Sequence, residues 1–177
     1  MTLRTEPQPP IIETERLVLC RLTPYDVDFI FKLLNDPSWI QFIGDRGIRT
    51  IENAKDYIIT GPMFSYNKHG FGLWLTKLKD TQTPIGMCGL IKRDSLEDID
   101  IGFAFLPEYT GKGYAYEAAK ATLQYAKKEL ELKRIVAITN QDNVKSIALL
   151  KKLGLDYEKL IDFQNESEQL MLFGVNY

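Results

Sequence analysis

Residues 105–119, FLPEYTGKGYAYEAA, place two glycines around a lysine, between an alternating apolar run and an alanine-rich stretch. The run before it, IDIGFAF (99–105), sets Ile99, Ile101, Phe103 and Phe105 against Asp100, Gly102 and Ala104, the period-two pattern of a strand with two unlike faces. The stretch after it, YAYEAAKATLQYAKKEL, has the composition and spacing of a helix with lysines near its C-terminal end. A strand turning through glycines into a helix leaves the first-turn N–H groups without intrahelical partners. The positive end of the helix dipole lies beside them, so backbone alone makes an anion site. The competing reading is ordinary turn chemistry, which Gly-Lys-Gly serves equally well.

Working outward, RIVAIT (134–139) reads as a short buried strand, so strand–helix–strand predicts a right-handed crossover with parallel pairing. FGLWLTKL and PIGMCGLI, joined by the polar KDTQT, read as a hairpin. Upstream, ERLVLCRL (15–22) is a strand, and Thr23, Pro24 and Asp26 form an N-terminal capping signal for a helix that ends near Asp36-Pro37. Thr50 opens a second helix that should fade near Gly61-Pro62. NVKSIALLKKLG (143–154) is a helix closed by Gly154. DYEKLIDF and QLMLFGV are a last pair of strands around QNESE. The expectation is one α/β (α+β) domain over 1–177 with a loose leader at 1–10: a mixed, mostly antiparallel seven-stranded sheet flanked by about four helices.

Composition narrows the function classes. The chain is 45% hydrophobic and 26% charged with a formal net charge of -2, which leaves no basic footprint for nucleic acid. Its longest uncharged runs, such as YIITGPMFSYN (57–67), fall short of the roughly 18–20 residues of a membrane span. The N-terminus MTLRTEPQPP lacks the apolar segment of a secretory signal, so a cytoplasmic location is expected. Cys20 and Cys88 lie in separate apolar stretches and, with one histidine, supply no metal-ligand cluster.

Three phosphate-binding signatures compete for the glycine turn. A P-loop requires Gly at 106 and Ser or Thr at 113, where Leu106 and Gly113 stand. A dinucleotide loop requires a small residue where Tyr116 stands, and no acid ends the next strand at Ile138-Thr139. The third fits: Gly111-Lys112-Gly113-Tyr114-Ala115 resembles the pyrophosphate loop of the GNAT superfamily of acyl-CoA-dependent N-acetyltransferases. The likeness extends along the chain. ETERLVLCRLTPYD, PIGMCGL, DIGFAFLPEYTGKGYAYEA and NVKSIALLKKLGL resemble, in order, segments of its ribosomal-protein-alanine (Rim-type) branch. One departure is Thr110, in a slot usually held by Gln or Arg.

The resemblance implies the acyl-CoA N-acyltransferase (GNAT) fold, acetyl-CoA as cosubstrate with no metal, and transfer of acetyl to a primary amine. It leans to a protein N-terminal amine, with a polyamine, amino sugar or amino acid as the alternative. A non-catalytic acyl-CoA sensor is the reading from another class, and on any of these readings the chain is expected to be a monomer or a homodimer. It assigns Phe103, Ala104 and Phe105 to the pantetheine arm, held like an added strand, and Gly111, Lys112, Gly113, Tyr114, Ala115 and Tyr116 to the pyrophosphate. Asn143 would contact pantetheine or acceptor, though its place also suits a helix N-cap. Trp39, in the PSWIQF segment read as a loop, is the aromatic candidate for the acceptor cleft, ahead of Phe42, Phe71 and Trp74.

Amide formation from a thioester needs a neutral amine and a protonated leaving thiol. An α-amino group of pKa about 8 is roughly one-tenth neutral at pH 7, whereas a lysine-like amine near 10.4 is neutral about once in 2,500. A general base therefore matters most for side-chain amines. Many members of the family protonate the thiolate with a Tyr seven residues after the Asn; here that slot is Leu150, and in the Rim-type branch Ser146 is placed for the task. A Ser in a first helical turn also bonds locally to backbone. Asp100 is the candidate base and acceptor contact, a poor base unless burial raises its pKa. Glu97, Asp98 and His69 read as solvated.

Overall fold

The computed structural model describes residues 7–164 and 166–177. Eight strands form one sheet in the order β1-β2-β3-β4-β5-β6-β8-β7: β1 Pro10–Glu13, β2 Leu17–Cys20, β3 Leu73–Leu78, β4 Pro84–Ile91, β5 Asp100–Phe105, β6 Arg134–Thr139, β7 Asp156–Ile161 and β8 Leu170–Asn176. The helices are α1 Val27–Leu34, α2 Pro37–Phe42, α3 Ile51–Ile58, α4 Phe64–His69, α5 Tyr114–Lys128 and α6 Val144–Lys152. Every neighbouring pair of strands is antiparallel except β5 and β6, which are parallel as the crossover requires.

Among the described residues the expected seven strands and four helices become eight and six, for local reasons. The eighth strand, β1, begins inside the expected leader: its four residues are too few to carry a periodic signal, and β2 supplies its ladder partners from Pro10↔Cys20 to Glu13↔Val18. Residues 1–6 of that leader lie outside the described residues. PSWIQF is a helix, not a loop. The proline that stops α1 opens α2, where its missing N–H costs nothing, and the Asp36 carboxylate accepts from Ser38 N–H at 2.9 Å. The second expected helix does not fade at Gly61-Pro62. A π-helical turn, Ile59–Met63, absorbs Pro62 and joins α3 to α4. The hydrogen bond that Pro62 cannot donate is lost where the turn is already widened.

The sheet separates two cores. One face packs against α5 and α6 through Ile101, Phe105, Ala118, Ala119, Leu123 and Leu150. The other packs against α1, α2 and α3 through Ile30, Leu33, Trp39, Ala54, Ile58, Leu75 and Met87. β5 therefore presents Ile101, Phe103 and Phe105 to the first core and Ala104 to the second, as its alternation predicts. Among the described residues no helix is long and apolar enough to cross a membrane, and no group of His, Cys, Asp and Glu side chains is placed to share a metal ion.

Candidate active site

The site starts where the sheet comes apart. β5 pairs with β4 over its full length, from Asp100↔Ile91 to Phe105↔Gly86, and β6 pairs fully with β8. Between β5 and β6 the register holds at Asp100↔Val136 alone, secured by Val136 N–H donating to Ile99 C=O at 3.0 Å. Past that point the two parallel strands diverge. The β6-facing edge of β5 beyond Asp100, which carries Phe103, Ala104 and Phe105, pairs with no strand among the described residues. Unpaired strand edges take extended ligands by main-chain hydrogen bonds.

At the end of that edge the chain makes a 3-10 turn, Pro107–Tyr109, and enters the glycine loop. Gly111 and Gly113 have φ of +73° and +83°, the left-handed region that side chains avoid. At Gly113 a Cβ would also lie 3.3 Å from an Arg16 guanidinium nitrogen. The first helical bond of α5 runs from Glu117 N–H to Gly113 C=O. None of the N–H groups from Gly111 to Tyr116 has an acceptor among the described residues. Lys112 Nζ lies 5.8 Å from the Tyr109 ring, and Lys120 and Lys152 flank the Tyr116 ring at 5.8 and 4.4 Å. Six successive free donors at a helix N-terminus, ringed by lysines, fit a diphosphate. Thr110 contributes nothing to them, since its hydroxyl donates to Pro107 C=O at 2.8 Å.

Asn143 is the N-cap of α6, its Oδ1 accepting from Ser146 N–H at 3.2 Å. The cap uses the oxygen and leaves the amide NH2 as a donor, so capping and ligand contact are compatible. Ser146 sits half-buried in the first turn of α6, and its hydroxyl has no partner among the described residues. Leu150 is 1% exposed in the core and can do no proton chemistry.

Asp100 has the burial that its candidate role as a base requires. It is 1% exposed, and Arg93 Nε stands 3.2 Å from each of its carboxylate oxygens. Burial pushes its pKa up to about 6, against the lowering effect of Arg93 and, more weakly, Lys92. Arg93 also lies 5.5 Å from the Phe163 ring, and the half-buried Tyr57 phenol is close enough to feel the charges of Arg93 and Arg46. A carboxylate held near pH 6 is a far better proton acceptor than one at its usual value.

Trp39 departs from its expected place in an open loop. It lies in α2, 6% exposed and packed into the second core, with its indole Nε1 buried and without an acceptor among the described residues. Phe71 and Trp74 are core residues, Trp74 edge-on to Tyr125 at 5.3 Å. Phe42 is half-buried, its carbonyl accepting from Asn140 Nδ2 at 3.2 Å. His69 ends α4 and stacks on Phe71 at 5.7 Å. Asp98 is paired with Arg134 at 2.8 Å. Sequence reasoning missed Arg93 and Arg16. Arg93 stands in the polar connection after β4, and Arg16 is nearly a hundred residues before the loop it touches; no local pattern marks either.

Comparison with known proteins agrees with this geometry. Residues 16–156 match the family model of the acetyltransferase (GNAT) domain. An N-acetyltransferase of Bacillus subtilis, YoaA, is 30% identical over 153 residues, covering 86% of each chain. The crystal structure of a GNAT-family acetyltransferase from Bacillus anthracis superposes with a TM-score of 0.78 at 26% identity, over 93% of this chain and 97% of that one. RimL, a ribosomal α-N-protein acetyltransferase in complex with coenzyme A, shares the fold with a TM-score of 0.82 at 14% identity, over 95% and 98% of the two chains.

Proposed function

Since the chain belongs to the GNAT acetyltransferase family and is an acetyl-CoA-dependent N-acetyltransferase, we propose that it acetylates a protein N-terminal amine by direct attack on the thioester. One observation carries the reading: the unaccepted N–H groups from Gly111 to Tyr116 lie at the end of the unpaired β5 edge, so one extended donor satisfies both. Bound there, acetyl-CoA supplies the activated acyl group. Gly111–Tyr116 would hold its diphosphate, the edge at Phe103–Phe105 and the Asn143 amide its pantetheine arm.

Asp100, ionised above about pH 6, accepts the amine proton through a water, because its own oxygens are committed to Arg93. The amine nitrogen forms the new bond to the acyl carbon, the C–S bond breaks, and the Ser146 hydroxyl donates toward the departing sulfur. No step needs a covalent enzyme intermediate. The preference for an N-terminal amine follows from charge: Asp100 is buried and paired with Arg93, Lys92 also acts on it, and Arg93 and Arg46 act on Tyr57. Such a pocket suits an amine that loses its proton near pH 8 better than a polycation near 10.4. Both cysteines are free and buried, in keeping with a reducing compartment such as the cytoplasm.

The test is thiol release from acetyl-CoA with a panel of peptides bearing free or blocked N-termini, polyamines, amino sugars and amino acids. Peptides with free N-termini are expected to react and their blocked, lysine-bearing counterparts to stay inert. Turnover of polyamines alone would move the acceptor to the small-amine class. Coenzyme A binding with no acceptor-dependent thiol would leave an acyl-CoA sensor.

A further inference from the structure

We infer that Arg16, in the turn between β1 and β2, is a positioning residue of the donor site, holding the glycine loop with its N–H groups outward and neutralising Glu117 beside them. The inference rests on the acetyl-CoA reading of that loop.

Arg16 makes four contacts with the loop and the first turn of α5. Its backbone N–H donates to Glu117 Oε1 at 2.9 Å, its Nε to Glu117 Oε2 at 2.7 Å and its Nη1 to Lys112 C=O at 3.1 Å. The guanidinium lies over the Tyr114 ring, 4.5 Å from the centroid. The Lys112 bond has a stereochemical consequence. In a planar trans peptide the C=O and the following N–H point in opposite directions. Turning Lys112 C=O toward Arg16 therefore turns Gly113 N–H away from it.

The second effect is electrostatic. Glu117 is in the first turn of α5, where a carboxylate suits the helix dipole but repels a diphosphate bound to the same turn. Thr14 Oγ1 at 2.6 Å and the Arg16 contacts fix that carboxylate, and the guanidinium cancels its charge. Position 110 cannot substitute, because the Thr110 hydroxyl is spent on Pro107. The cation that organises the loop is thus delivered from another part of the chain. Glycine at 113 is what lets it approach, a Cβ there standing 3.3 Å from Arg16 Nη2.

The experiment compares acetyl-CoA with S-acetylpantetheine, which lacks the diphosphate, as donors for wild type, Arg16→Met, Arg16→Lys and the double variant Arg16→Met/Glu117→Gln. Calorimetry with coenzyme A runs alongside. Loss of one charge-assisted hydrogen-bond set predicts that Arg16→Met lowers the kcat/KM preference for acetyl-CoA about tenfold, through KM, with a parallel loss of coenzyme A affinity. The double variant recovers part of that loss, because the carboxylate left beside the diphosphate is gone. Arg16→Lys, which keeps the charge but not the planar fork, falls between. Equal losses for both donors would make Arg16 a plain structural staple and overturn the inference. So would an unchanged preference in the folded Arg16→Lys protein, which decides the matter if Arg16→Met fails to fold. A wild type that uses S-acetylpantetheine as well as acetyl-CoA sinks the donor reading itself, before any variant is made.

Discussion

Replacing Arg93 by Met should make the stability of this protein depend on pH in a way that reports Asp100 directly. Asp100 is 1% exposed and Arg93 Nε contacts both of its oxygens at 3.2 Å, so the substitution strands a desolvated carboxylate with the weaker pull of Lys92 left to oppose its burial. A charge-assisted hydrogen bond contributes about 1.5–3 kcal/mol. At about 1.36 kcal/mol per pKa unit, its loss moves the Asp100 pKa from about 6 to roughly 7–8. The sign follows from linkage. A carboxyl whose folded pKa exceeds its unfolded one binds its proton more tightly when folded, so its contribution is fully present below about pH 4 and lost as pH rises through the folded pKa. In wild type that loss is complete soon after pH 6. In Arg93→Met it continues to about pH 8, so the gap between the two proteins opens as pH rises. At pH 8.5 the variant should melt roughly 3–12 °C below wild type, from about 1.5–3 kcal/mol at about 2–4 °C per kcal/mol for a chain of this length. At pH 5, where Asp100 is protonated in both, the gap shrinks to the loss of the cation–π contact with Phe163, about 0.5–1 kcal/mol. Thermal melts by circular dichroism at the two pH values, repeated in an Asp100→Asn background, provide the measurement. A deficit that is the same at both pH values, or larger at pH 5, refutes the coupling. In kinetics the acidic limb of turnover should move from about 6 in wild type to roughly 7–8 in the variant.

Two further substitutions probe the ends of the site. Ser146→Ala should lower kcat by about tenfold to a hundredfold with little change in the KM for acetyl-CoA, in steady-state assays of thiol release; unaltered turnover removes Ser146 as the proton donor to sulfur. Gly113→Ala forces a side chain to φ +83° beside Arg16, at a cost of roughly 1–2 kcal/mol in urea denaturation and with weakened coenzyme A binding by calorimetry. Full affinity in that variant would show that the loop need not keep its left-handed turn.

Where the sequence was legible, a local rule was strong enough to stand alone. The alternation in IDIGFAF gave the two faces of β5, the capping pattern at Thr23 formed as read, and Gly154 closed α6 at a φ of +88°. Pro37 ends α1 as read and its second role was missed, while Pro62 was misread as a stop, because proline stops a helix only when the chain has no other use for its geometry. Pro37 starts the next helix, and Pro62 rests in a π turn. Trp39 looked available in a polar stretch, and packing of α2 buried it.

What this chain determined by itself is local: the strand, the glycine turn and the helix that leave backbone donors free, since these depend on residues a few positions apart. What tertiary structure decided is which charges stand next to which. Arg93 meets Asp100 across a loop, Arg16 meets Glu117 across the fold, and β5 parts from β6 after one shared register position. The acidity of the buried carboxylate and the orientation of the loop arise from those meetings. Coulomb interaction and desolvation act through space, so a pattern confined to sequence neighbours holds no record of them.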